Sequence, residues 1–516
     1  MNEKRTTTAG RLVYNSVFNV AASVSHAVVG FFMIRFLLGR LGEDRYGVWV
    51  LIGGTLFRYA PLLSIGLNSS INRYIPVYLA KGDTNGVQRV VNTSLFFFAI
   101  LACVVAAISL VVYYNVESWF EIEPELVRTA GILVLIVGLS LVIAMPLQPS
   151  TAILSGMQRY DLINIVHLAS LFLRTALLIL LLLRGYGLVT LAIIYGLSEI
   201  SVKALHAALS VRLLPSVSLS AAKIDKSLLR DMLAYGTNTF LYATGAVIVY
   251  QASNLIIGAF LGTAQISRFF VATIAVFLLS QLVSAFTTAI KPAVSDLDAR
   301  EDTNTVKEIA FLTQKYSLLM IIPGGFFLVV MGSEFLTICF GDRFENPAAI
   351  DAMAVILAII TVAHCARLAQ HSNFLVLVGR GQHRIFGALT AVMAILCVSA
   401  SVVSVTVFDF GLLGIAWSNF VPMVLISGVM LPVYFNWKMR ISTLECISKV
   451  WRPAALGSLP AVFMICGWKY LAAPDSWLEL AGVVVAAMVL TFTGGWFLGL
   501  RDGERKRFAR IVLRRR

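Results

Sequence analysis

The chain has 516 residues, of which 59% are hydrophobic and 13% charged, and it carries a net charge of +14. Soluble domains carry about 25% charged residues, so this composition, with a mean hydropathy of +0.85, excludes a water-soluble globular protein. The apolar residues come in runs of roughly 20, the length that crosses a bilayer core as a helix, and they lack the period-two alternation of a membrane barrel.

These runs predict an all-α integral membrane protein with about fourteen transmembrane helices. The first six lie at about 14–37, 46–67, 91–114, 127–148, 162–183 and 187–211. The next six lie at about 235–260, 266–290, 312–331, 350–377, 384–408 and 411–436, and two more at about 453–472 and 479–500. The longest polar break, about 212–234, holds Lys223, Asp225, Lys226, Arg230 and Asp231 and reads as a linker with an amphipathic helix. The first run is too long for a secretory leader and lacks an A-x-A site, so no cleavable signal peptide is expected.

Lysine and arginine favour alternate loops, among them those with Lys81 and Arg89, Arg159, Arg212 and Lys223, Lys307, Arg380, and Lys438. The opposite loops are acidic, as at Glu117, Glu121, Glu123 and Glu125. By the positive-inside rule both termini are cytoplasmic. The basic excess therefore sets topology and meets anionic membrane lipid, and nucleic acid is not expected as a partner. The six cysteines form no CxxC pair and read as small apolar fillers.

A repeat runs through the chain. Asp83-Thr84-Asn85-Gly86-Val87 matches Asp302-Thr303-Asn304-Thr305-Val306, and Leu41-Gly42 matches Leu261-Gly262. Gly187-Leu188-Val189-Thr190-Leu191-Ala192 matches Gly411-Leu412-Leu413-Gly414-Ile415-Ala416, and Gln158 matches Gln382. The offsets stay near 220 residues and keep chain order. They divide the chain into two six-helix bundles, 1–214 and 215–437, followed by two further helices and a basic tail over 438–516. Parallel repeats imply pseudo-twofold symmetry, cargo between the halves, and alternating access by rocking.

Charge inside a span is a functional hypothesis by default. Arg58, Arg174 and Arg367 sit well inside their spans, while Arg35, Arg268 and Lys469 sit near span ends and suit snorkelling. Lys315 lies close to a span end and fits either role. Glu199 is the one acidic residue deep in a span; Lys203, four residues on, can pair with it along one helix face. Asn15 and Asn19, one turn apart on the first span, can line a cavity or bond a neighbouring helix. The excess of cations suits an anionic cargo, a diphosphate or acidic sugars, held by the forked guanidinium of arginine.

Leu41-Gly42-Glu43-Asp44-Arg45-Tyr46-Gly47, Leu62-Leu63-Ser64-Ile65-Gly66-Leu67, Ile71-Asn72-Arg73-Tyr74 and the Lys81-Gly82-Asp83 turn carry a family resemblance, with Gly332-Ser333-Glu334-Phe335-Leu336 through Phe340-Gly341 similar in style. The chain resembles Wzx-type flippases of lipid-linked oligosaccharides, in the polysaccharide-transporter branch of the multidrug/oligosaccharidyl-lipid/polysaccharide exporter superfamily. The resemblance implies a V-shaped fold of twelve or fourteen helices in a bacterial cytoplasmic membrane. It also implies transfer of undecaprenyl-diphosphate-linked glycans for O-antigen, capsule or exopolysaccharide synthesis, beside polymerase and glycosyltransferase partners. No Walker motif, HExxH or Ser-His-Asp pattern is present, so no catalytic residue and no cofactor is expected. A flippase for the peptidoglycan lipid precursor and a multidrug or cation antiporter of the same fold stay open. A membrane glycosyltransferase or polymerase fits the short outward loops less well.

The charge bias predicts the outcome of single-cysteine labelling in intact cells. A cysteine within 117–125 is expected to react with an impermeant reagent and one within 220–226 to be protected; the reverse pattern inverts the topology.

Overall fold

A computed structural model of the chain describes residues 8–215, 218–287, 290–299, 301–344, 346, 348–382, 384–500 and 503–505. Among the described residues every regular element is helical. Thirteen stretches, from Ala22–Leu41 to Trp477–Gly499, are long and apolar enough to cross a membrane. The shorter apolar stretch Val247–Phe260 stands where the seventh span is expected, so each expected span meets a helix.

The chain forms two compact units, Met1–Ser267 and Arg268–Arg516. The first unit holds α1 (Thr8–Leu41), α2 (Glu43–Trp49), α3 (Leu67–Ala80), α4 (Thr84–Trp119), α5 (Pro124–Ala144), α6 (Pro149–Gly156), α7 (Tyr160–Leu183), α8 (Leu188–Leu213), α9 (Lys226–Phe260) and the start of α10 (Thr263–Thr287). The second unit continues with α11 (Ile290–Ala299), α12 (Thr303–Val330), α13 (Gly332–Phe340), α14 (Ala348–Leu368), α15 (His371–Gly379) and α16 (Arg384–Thr406). It ends with α17 (Gly411–Met423), α18 (Leu431–Met439), α19 (Thr443–Cys446), α20 (Arg452–Leu471) and α21 (Trp477–Gly494).

Two sequence expectations change. The second span is not one regular helix. After α2 the backbone widens into π-helical turns over Val50–Thr55 and tightens into a 3-10 stretch over Leu56–Ser64. Gly53-Gly54 contributes poor helix formers, and Pro61 removes an amide donor. The Thr55 hydroxyl at this junction accepts from Asn254 Nδ2 at 3.1 Å. Irregular backbone at membrane depth survives where neighbouring protein supplies such partners.

The linker also differs. Its described residues hold a 3-10 turn, Ala221–Lys223, with polar groups bonded to the start of α4, and the amphipathic helix forms as the first turns of α9, with Leu228 and Met232 buried, and not as a separate element. Asn92 donates to the Ser218 carbonyl at 3.0 Å and accepts from Ser220 N at 2.8 Å, while Asp225 N donates to Thr93 Oγ1 at 2.9 Å. Asp225 then caps α9. The Leu228 amide, with Ser227 and Arg89 behind it, holds its carboxyl below the usual carboxylate range. Lys226, Arg230 and Asp231 belong to the first turns of α9.

The matched sequence segments form matched turns. Asp83 caps α4 by accepting from Gly86 N at 2.8 Å, and Asp302 caps α12 by accepting from Thr305 N at 3.0 Å. The residue before each aspartate, Gly82 or Glu301, is left-handed and closes the preceding helix. Gly42 and Gly262 are likewise left-handed between consecutive helices. The repeat is thus a recurrence of caps and turns, which specific residue types at specific places dictate.

Close helix crossings depend on small residues. Within a bilayer, packing drives association, since lipid chains are as apolar as leucine. Gly66 and Gly236 let α3 meet α9, where Ser70 Oγ donates to the Met232 carbonyl at 2.5 Å. Leu67, Ile71 and Ile75 of α3 pack there with Val90 and Phe98 of α4 and Met232 of α9. Gly47 lies against α10, where an added Cβ would stand 1.9 Å from the Thr263 carbonyl oxygen. Beside it Asp44 accepts from Thr263 Oγ1 at 2.9 Å, and Ser267 Oγ donates to the Glu43 carbonyl at 2.5 Å. The Leu41–Gly47 motif is therefore a docking point for α10.

Gly47→Val is expected to destabilise the protein in detergent by about 1–3 kcal/mol or more through overpacking, read as a fall in Tm. Gly30→Ala, with nothing within 4 Å of the new Cβ, is expected to leave Tm unchanged or slightly raised. Equal effects of the two would remove the docking role from Gly47.

Candidate functional site

The first unit brings most of the expected charged residues together. Gly196 allows α8 to lie against Ser140 of α5, and the adjacent Tyr195 meets α2 and α7. Its ring stands 4.8 Å from the Trp49 ring, and the Arg174 guanidinium lies 4.3 Å above its centroid. A cation over an aromatic face is stabilised by about 0.5–2 kcal/mol. Arg58, on the 3-10 stretch, is exposed and within electrostatic reach of the same phenol. Tyr195 thus carries Arg174 on its face and lies within electrostatic reach of Arg58.

One turn further along α8, Lys203 Nζ lies 3.7 Å from Glu199 Oε1, with the lysine buried and the glutamate exposed. The pair of the sequence reading is present. Facing it are three histidines that the sequence reading passed over. His206 is fully buried, its Nδ1 2.9 Å from Thr151 Oγ1, and its ring stands edge-on to His167 at 5.2 Å. His167 lies within electrostatic reach of Lys203, Glu199, His26 and Arg174. A possible signal was visible: half of the six histidines fall in the first, fifth and sixth spans.

The other candidates lie elsewhere. Arg367 is in the second unit, half-buried in the last turn of α14, with His371 of α15 within electrostatic reach. Lys315 of α12 has a side chain only 1% exposed, and both carboxylate oxygens of Glu504 approach its Nζ, at 2.7 and 2.6 Å. Glu504 follows the last helix and was not legible as a partner, because contact across 189 residues has no local signature. Lys469 likewise pairs with Glu334, joining α20 to α13. Asn15 and Asn19 lie on α1, but their side chains fall outside the described residues.

The arrangement in the first unit is suited to holding an anion. The Arg174 guanidinium lies on an aromatic face with Arg58 within electrostatic reach of the same phenol, and no carboxylate is bonded to Arg174 among the described residues. Among those residues no group of three or more His, Cys, Asp or Glu is placed to hold a metal ion.

A family model described as polysaccharide biosynthesis protein matches residues 84–349, just over half the chain. No curated protein matches by sequence. Among solved structures, the lipid II flippase MurJ in its inward closed conformation superposes with a TM-score of 0.69 at 13% identity, covering 96% of this chain and 99% of that one. An inward-facing multidrug resistance MATE family transporter of the MOP superfamily gives 0.65 at 15% identity, covering 83% and 94%. MATE in complex with MaD3S gives 0.62 at 15% identity, covering 84% and 97%. The fold is that of these membrane transporters, in agreement with the resemblance read from the sequence.

Glu504→Ala leaves Lys315 as an uncompensated buried cation and is expected to cost on the order of 3 kcal/mol, measured as a fall in Tm. Pairing Lys315→Met with Glu504→Leu is expected to recover most of it. A double variant as unstable as the single one would show that the ion pair is not what holds the chain end.

Proposed function

We propose that this chain, which belongs to the polysaccharide biosynthesis protein family, flips a polyprenyl-diphosphate-linked oligosaccharide repeat unit across the bacterial cytoplasmic membrane by alternating access. The product would feed O-antigen, capsule or exopolysaccharide assembly, with both termini in the cytoplasm. The observation that carries this reading is Arg174 held over the Tyr195 ring with no carboxylate bonded to it among the described residues, with Arg58 within electrostatic reach of the same phenol.

A diphosphate presents fixed negative charge and oxygens spaced for forked binding by guanidinium groups. Water is scarce at membrane depth, so an arginine there strongly favours an anionic partner. Arg367 is included as a cargo-contacting cation of the second unit. Lys315 is already neutralised by Glu504, and the Glu199–Lys203 pair is locally satisfied, so neither is needed to bind cargo. Asn15 and Asn19 are assigned to glycan hydroxyls on the sequence reading alone.

The second reading is a peptidoglycan lipid-precursor flippase, favoured by the likeness to the lipid II flippase fold. It needs the same diphosphate chemistry and differs in the glycan. A cation antiporter requires carboxylates where this chain places arginines. No chemistry on the cargo is invoked, and the family and fold are those of transporters.

The test is a flipping assay in proteoliposomes with a fluorescent polyprenyl-diphosphate glycan. The wild type is expected to expose the cargo to an impermeant quencher. Arg58→Ala and Arg174→Ala are each expected to slow flipping about tenfold or more, a loss of roughly 1.4 kcal/mol in barrier terms, with Tm unchanged. Arg→Lys is expected to retain part of the rate if charge alone matters and little if forked binding matters. A fully active Arg58→Ala/Arg174→Ala protein would overturn the reading, and selective flipping of lipid II would favour the second one.

A further inference from the structure

Anion binding leaves the histidines of the first unit without a role. His206 is fully enclosed, and the half-buried His167 stands edge-on to it. The Thr151 hydroxyl at His206 Nδ1 can donate to an unprotonated nitrogen or, by rotating, accept from a protonated one. His206 Nδ1 therefore keeps its hydrogen-bond partner whether the ring is neutral or charged, while Nε2 is buried with no hydrogen-bond partner among the described residues.

The surrounding charges limit how many protons the pair can hold. His167 faces His26 from α1, Lys203 and Glu199 from α8, and Arg174 from its own helix. From α6 comes Thr151, and that helix has no ionisable residue. On α5 the ionisable residues, Glu125 and Arg128, lie in the first turns, away from the Ser140 contact with α8. Arg35 and Arg40 lie toward the far end of α1, and Arg212 in the last turn of α8. At the start of α7, Asp161 is held by Arg159 at 3.1 Å. Glu199 is matched by Lys203, so Arg174 remains as charge balanced only by an aromatic face. One imidazolium here adds to the positive charge of Arg174 and of the nearby Arg58, and two with ring centroids 5.2 Å apart would repel strongly. An anion at Arg174 supplies the missing negative charge.

We infer that the His167–His206 pair is a proton-binding site with room for one proton, and that this proton is taken up from water when an anion loads beside Arg174. The site itself stands on the geometry of the histidines; its coupling rests on the anionic-cargo reading above. By linkage, protonation and anion loading then strengthen each other, which makes pH a control on cargo binding.

The full-length protein, labelled with 15N in the histidine rings, tests the site without any cargo. Resonances are assigned with His167→Gln and His206→Gln. Between about pH 8 and pH 4, a window extended below the ordinary imidazole range because no anion offsets Arg174 in this experiment, the pair is expected to gain one proton; gain of none or of two would overturn the site. Coupling is tested by titrating inorganic pyrophosphate calorimetrically near pH 7 in two buffers of different ionisation enthalpy. Proton uptake is expected in the wild type. The His167→Gln/His206→Gln protein is expected to lose that uptake while binding pyrophosphate within about threefold of wild type, less than 1 kcal/mol. Pyrophosphate binding with no proton uptake, or uptake persisting in the double variant, would overturn the coupling alone. Failure of pyrophosphate to bind would overturn the anionic-cargo reading and the coupling together, while the pH titration still decides the proton site.

Discussion

A charge within an apolar helical layer has to find its partner nearby, because neither lipid nor hydrocarbon side chains can replace its hydration. That constraint orients much of the described structure. Lys203 turns toward Glu199, Arg174 onto the Tyr195 ring, Lys315 to Glu504 and Lys469 to Glu334. The contacts between elements, at Arg174, Lys315 and Lys469, fix how a helix is rotated about its axis, which apolar side chains alone specify weakly when lipid is as good a neighbour as protein. Among these contacts Arg174 differs, since a ring quadrupole only partly offsets a full charge.

Backbone groups obey the same rule and produce the irregularities. The second span departs from α-helical geometry between Val50 and Ser64, and Asn254 bonds Thr55 at the junction between the π and 3-10 stretches. Arg58 rides on this stretch, so its direction differs from that of a residue on a regular helix. The linker after α8 shows the principle outside the spans, with Asn92, Thr93 and Arg89 of α4 bonding Ser218, Ser220 and Asp225.

The likeness to MurJ and MATE structures holds at 13–15% identity because this fold asks for few particular side chains. It asks for apolar helices of bilayer length, small residues at crossings such as Gly47 and Gly66, and caps such as Asp83 and Asp302. Those demands leave the polar residues within the spans free to differ, and cargo chemistry is written there.

Helix number, helix limits and the recurring turns were legible in the sequence, since hydropathy, glycine position and aspartate capping act over a few residues. The excess of intramembrane cations was legible too, as was the Glu199–Lys203 pair, because four residues along a helix returns to the same face. The break in the second span was only hinted at by Gly53, Gly54 and Pro61, whose effect depends on whether neighbours satisfy the backbone. Tertiary structure alone decided that Arg174 stacks on Tyr195, that Arg58 comes within electrostatic reach of that phenol, that His167 meets His206, and that Lys315 is held by Glu504. These contacts join residues far apart in the chain, and which residues meet is set by how helices rotate and cross, information that no local window of sequence contains.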